Sequence, residues 1–146
     1  MTKFSKSGRL LGLDYGERRI GVSISDPEGI IATGLTTIDC KIDTAPLDTI
    51  AKIITEKNVV GLVVGYPYQT DGLPGKKIDD VEKWIASLKK HFNLPIFRQD
   101  ESYSSVMAQS SLKARRKKRK KPINKADIDR VAACFILQEF LNSEEC

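Results

Sequence analysis

Residues 10–25 read LLGLDYGERRIGVSIS, and this stretch decides the fold. Leu11 and Leu13 alternate with Leu10, Gly12 and Asp14; Ile20, Val22 and Ile24 then alternate with Gly21, Ser23 and Ser25. A period of two marks β-strands, and the second run reads as a strand with one buried face. Tyr15-Gly16-Glu17-Arg18 forms a turn between them, and Asp26-Pro27-Glu28-Gly29 a second turn before IIATGLTTI at 30–38. Three strands joined by two tight turns predict an antiparallel meander from Arg9 to Ile38. Asp14 is out of keeping with its surroundings. A carboxylate at the end of an apolar strand is costly to bury unless something positive meets it.

Beyond the meander the period changes. Thr44 is placed to cap a helix with Pro46 in its first turn, Leu47, Ile50, Ile53 and Ile54 supply an apolar stripe, and Asn58 is a stop. VVGLVVG at 59–65 is a β-branched run of the kind buried on both faces. Tyr66 to Gly75 carries two prolines and two glycines and reads as a loop. A second helix follows with Ile78, Val81, Ile85, Leu88 and Phe92 on one side, and Trp84 in the core or at its margin. Leu94 to Glu101 is a short strand, Ser102 to Leu112 is helical in pattern, and Ala126 to Leu141 is the last helix. The expectation is a single mixed α/β domain over 1–146.

Strands joined through helices place ligands beyond their carboxyl ends. Asp14 ends the first strand and Glu101 follows the last. Asp129 lies three, four and seven residues before Ala132, Ala133 and Ile136, so it shares their helix face. The two alanines allow close approach to a sheet, which turns this acid inward. Two or three carboxylates at one sheet end suit Mg2+ or Mn2+, singly or as a two-metal pair.

Charge separates the chain into two parts. It has 24 basic and 19 acidic residues, a net charge of +5, and eight of the bases fall between Lys113 and Lys121. Without those eight, 16 bases face 19 acids, a net of −3. A solvated, flexible tract on a mildly acidic body favours a polyanion. Candidate phosphate contacts are Arg115, Arg116, Lys117, Lys118, Arg119, Lys120 and Lys121. The longest uncharged stretch, 59–70, is 12 residues, short of the roughly 20 a membrane helix needs. No secretory signal is apparent in MTKFSKSGRLLGLDYG. Cys40, Cys134 and Cys146 form no Cys-x-x-Cys pair, and His91 is the only histidine, so no zinc set is present. Free thiols and a cytoplasmic location are expected.

Taken together, LGLDYGERRIGVSISDPEGIIA at 11–32, VVGYPYQTDG at 63–72 with Gly75, DES-x-S-S at 100–105 and D-x-x-A-A-x-x-I-L at 129–137 resemble a known family. It comprises bacterial nucleases related to Holliday-junction resolvases and assigned to processing of the small-subunit (pre-16S) ribosomal RNA precursor. The resemblance covers essentially the whole chain. It implies a ribonuclease-H-like sheet, three antiparallel strands then parallel ones, flanked by helices. It also implies a divalent-metal-dependent nuclease whose catalytic and metal-binding acids are Asp14, Glu101 and Asp129. Arg18 and Arg19 join the candidate nucleic-acid contacts, and the protein would act as a monomer or homodimer. Ser102 stands where the family usually has arginine, and Tyr66 where it has leucine. Two alternatives stay open: a resolvase of branched DNA, and a non-catalytic nucleic-acid binder of the same fold.

Overall fold

The meander forms as the alternation predicts. In a computed structural model, described over residues 8–67, 76–101 and 124–143, β1 (Arg9–Tyr15), β2 (Arg19–Ser25) and β3 (Ala32–Asp39) pair antiparallel. The chain continues through α1 (Pro46–Lys57), β4 (Val59–Tyr66), α2 (Lys76–His91), β5 (Ile96–Asp100) and α3 (Lys125–Ser143). β4 adds parallel to β1 and β5 parallel to β4, which gives the sheet order β3-β2-β1-β4-β5. The carboxyl ends of β1, β4 and β5 therefore lie along one edge.

The strands present two different faces. Leu11, Leu13, Ile20, Val22, Leu62 and Val64 pack with Ile50 of α1 and with Val81, Trp84, Ile85 and Leu88 of α2. Tyr15 closes this layer by stacking on Trp84 with ring centroids 4.7 Å apart. The opposite face carries Leu10 and Val63 and packs against Ile136, Leu137, Phe140 and Leu141 of α3. Each such aliphatic or aromatic side chain gains roughly 1.5–3 kcal/mol on full burial.

β2 departs from the one-face expectation, since Ser23 and Ser25 are as buried as Ile20 and Val22. Their small size lets α3 lie close, and their hydroxyls are satisfied. Ser23 Oγ donates to the Ala133 carbonyl at 2.7 Å, and Ser25 Oγ accepts the Leu10 N–H at 2.9 Å. Gly21 completes the surface: a methyl there would meet the Asp129 carbonyl oxygen at 1.9 Å. Alternating polarity thus encodes two kinds of packing here, not one wet face.

Smaller differences have local causes. Ala45, not Thr44, occupies the cap position of α1 and makes no side-chain cap bond. Asp43 serves this corner instead, accepting from the Ala45 N–H at 2.9 Å and from the Thr49 hydroxyl. Asn58 ends α1 in the left-handed region at φ 53°. Tyr66 belongs to β4 because it still pairs with Asp100. Cys134 is only half-buried and donates its thiol to the Ala32 carbonyl at 3.3 Å. The helix expected at 102–112, the basic tract and most of the loop before Gly75 lie outside the described residues. Among the described residues, no helix is long and apolar enough to cross a membrane.

Candidate active site

Strand register places the acids. On β1, Asp14 alternates with Leu11 and Leu13 and so shares the α3 face with Leu10 and Gly12. Pairing of Val63 with Phe97 and of Gly65 with Gln99 puts Glu101, two residues further on, over the same face. The Glu101 N–H donates to the Tyr66 carbonyl at 3.2 Å, which carries the β4–β5 ladder one step past the strand. Its side chain lies across Gly65, where an added methyl would be 3.2 Å from Oε2 and 2.6 Å from Ile136 Cδ1. A residue with any side chain at position 65 would close this corner.

Asp14 and Glu101 meet there, near enough for one carboxyl, when protonated, to hydrogen-bond to the other. Burial, followed by the negative charge of Glu101 and that hydrogen bond, holds the Asp14 carboxyl well above the usual range. Asp129 adds to this field, and Lys77 opposes it. The carboxylate of Asp129 is itself engaged: Arg19 Nε donates to its Oδ2 at 2.7 Å, and both side chains are about a quarter exposed, 23% and 24%. Asp14 and Glu101 thus touch, while Asp129 stands near them on its own arginine. Among the described residues, no group of three or more histidine, cysteine, aspartate or glutamate side chains forms a ready metal shell. The donor set still suits a hard cation, since two partly buried carboxyl groups in contact need a proton or a cation between them.

The expected phosphate contacts separate. Arg19 faces the site but is committed to Asp129. Arg18 is half-exposed, with Nε 3.8 Å from Asp39 Oδ1. Arg115 to Lys121 lie outside the described residues, as does Ser102. Arg98 does not substitute for an arginine at 102, because it sits on the α2 face, where its Nη2 donates to Glu82 Oε1 at 2.7 Å. Tyr66 joins the same cluster: its hydroxyl donates to Glu82 Oε2 at 3.2 Å, and Arg98 lies 5.5 Å from its ring centroid. That accounts for a tyrosine where the resemblance leads one to expect leucine.

One residue and one pairing escape the sequence reading. Lys77, in the first turn of α2, reaches over the sheet end and places Nζ 3.1 Å from Glu101 Oε1. It also lines a cleft of about 370 Å³ with Tyr15, Gly16, Glu17, Asp80 and Val81. The only signal for it is a pair of lysines after Gly75, which resembles any solvated helix start. The Arg19–Asp129 pair spans 110 residues of sequence and leaves no local pattern.

Comparison with known proteins gives the family and the fold. The model of the RuvX Holliday junction resolvase family matches residues 8–143. This chain belongs to that family. Among its relatives is a protein of Crocosphaera subtropica named "Putative pre-16S rRNA nuclease", 40% identical over 132 residues, which cover 90% of this chain and 91% of that one. A relative of the same name from Synechocystis sp. is 41% identical over 138 residues, 94% and 90% of the two chains. T. thermophilus RuvC, solved with a Holliday junction substrate, superposes with a TM-score of 0.57 over 94% of this chain and 96% of that one, at 8% identity. Fowlpox virus resolvase, solved with Holliday junction DNA, superposes with a TM-score of 0.54 over 92% and 97%, at 11% identity. The shared fold is ribonuclease-H-like, and the family is one of nucleases, hydrolases of phosphodiester bonds.

Proposed function

We propose that this chain is a divalent-metal-dependent nuclease that processes the precursor of 16S ribosomal RNA, with Asp14, Glu101 and Asp129 as its catalytic acids. The contact between Asp14 and Glu101 at the carboxyl ends of β1 and β5 carries the reading. Relatives about 40% identical across nearly their whole length, named for pre-16S rRNA, support the substrate. Asp14 and Glu101 would hold Mg2+ or Mn2+, with Asp129 as the third acid. When bound, such an ion neutralises charge on the phosphate oxygens and activates water for attack.

The chain's own residues prepare the rest. The Tyr66 carbonyl holds the backbone of Glu101, and Arg19 holds the carboxylate of Asp129 against the sheet. Arg18 and the tract from Arg115 to Lys121 supply phosphate attraction without base recognition. The odd number and wide spacing of the cysteines support a reducing cytoplasm as the protein's location. A second reading, cleavage of branched DNA, is favoured by the description of the matching family.

The test compares a pre-16S rRNA fragment with a four-way DNA junction, each in Mg2+, in Mn2+ and in chelator. RNA cleavage that chelator stops, and that Asp14→Asn and Asp129→Asn abolish while binding persists, is the expected result. Preference for the junction would select the second reading. Cleavage surviving in Asp14→Asn would remove the site assignment.

A further inference from the structure

Lys77 is at odds with its local setting. The first turn of a helix disfavours positive charge, because the unpaired N–H groups already carry it. Yet Lys77 stands in the first turn of α2 with its side chain 59% exposed, and its ammonium turns onto Glu101, whose side chain is 9% exposed. The ammonium contacts one member of the acid pair and offsets the field at the other. Asp80 and Glu17 lie beside it along the adjoining cleft, where their charges also bear on the Tyr15 hydroxyl. One flexible lysine therefore has two sets of acids within reach.

We propose that Lys77 is the built-in counter-ion of the Asp14–Glu101 pair, and that an arriving divalent cation displaces it towards Glu17 and Asp80. Lys77 then sets the cation concentration at which the site fills. It is a positioning residue, acting through Glu101 and not on the substrate. Its ammonium keeps two acids together while no ion is bound, and competes with the ion that replaces it. This inference rests on the metal-site reading above.

Cation binding without nucleic acid tests it, by calorimetry and by thermal shift with Mn2+ on the full chain. Lys77→Met keeps the stem and removes the charge; Lys89→Met removes the same charge from the far end of α2. Lys77→Met should fill at a cation concentration roughly two- to fivefold lower, the scale of a partly exposed ion pair. It should also melt lower than wild type in chelator. Lys77→Arg should keep the wild-type midpoint within that range, and Lys89→Met should leave it unchanged. An unchanged or higher midpoint in Lys77→Met, or an equal shift in Lys89→Met, overturns the proposal. Absence of saturable binding that depends on Asp14 is a different failure. It would remove the metal site itself, and the displacement with it.

Discussion

Asp14 is a residue the fold holds at a loss. Its carboxyl is raised by burial and by Glu101, so the folded state disfavours its ionised form. For an acid raised in this way, the cost is absent below the unfolded pKa and grows as pH climbs through and above it. Asp14→Asn should therefore stabilise the protein in chelator at neutral pH, with each kcal/mol of relieved repulsion worth roughly 2–4 °C in a chain of this size. The gap in melting temperature between variant and wild type should close as the buffer is acidified towards the ordinary carboxylate range. A variant less stable than wild type at neutral pH would show that the two acids are not in conflict. Saturating Mn2+ should narrow the gap from the other side, since only wild type keeps the full acid set.

At the scale of elements, the contact that matters is α3 on the small-residue face of β1 and β2. Gly12, Gly21, Ser23 and Ser25 make that face flat, and Ala132 and Ala133 bring the helix down onto it. Gly21→Ala pushes a methyl into the Asp129 carbonyl, a backbone atom that cannot swing aside. Overpacking of this kind costs about 1–3 kcal/mol, and the 1.9 Å approach puts this case at the upper end. A melting temperature lower by roughly 6–12 °C should result, together with weaker cation binding, because Asp129 is displaced with the backbone. Normal stability with normal cation affinity would mean that α3 is not seated by Gly21. The existence of β1, β2, β4 and α3 was legible from periodicity, but not every limit: Tyr15 and Tyr66 read as turn and loop and prove to end β1 and β4. The double burial of β2 was not legible, because serine reads as polar until its partner, the Ala133 carbonyl, is known.

Across the whole molecule, charge is divided between a slightly acidic body and one basic tract. Body and tract should therefore contribute separately to nucleic-acid affinity. Neutralising Lys117, Lys118, Arg119, Lys120 and Lys121 should lower the log–log salt slope for duplex binding by about 4 if all five engage phosphate. Cation binding measured without nucleic acid should not change. An unaltered slope would assign phosphate binding to the body, with Arg18 as the half-exposed candidate. Altered cation affinity would instead tie the tract to the acid site.

By itself the sequence determined the meander, the buried parallel strand, a helix stopped at Asn58 and a last helix read over 126–141, which the structure extends to 125–143. Each of these rests on interactions within a few residues: alternation, a helical stripe, a left-handed stop at Asn58. Even the meeting of Asp14 and Glu101 follows from two strand ends once the strands are parallel. Only the tertiary structure decided what those acids touch. Arg19 reaches Asp129 across 110 residues, and Lys77 reaches Glu101 from the opposite layer of the sheet. Salt bridges of this kind depend on how long, flexible side chains meet after the backbone is packed, and no local period encodes that meeting.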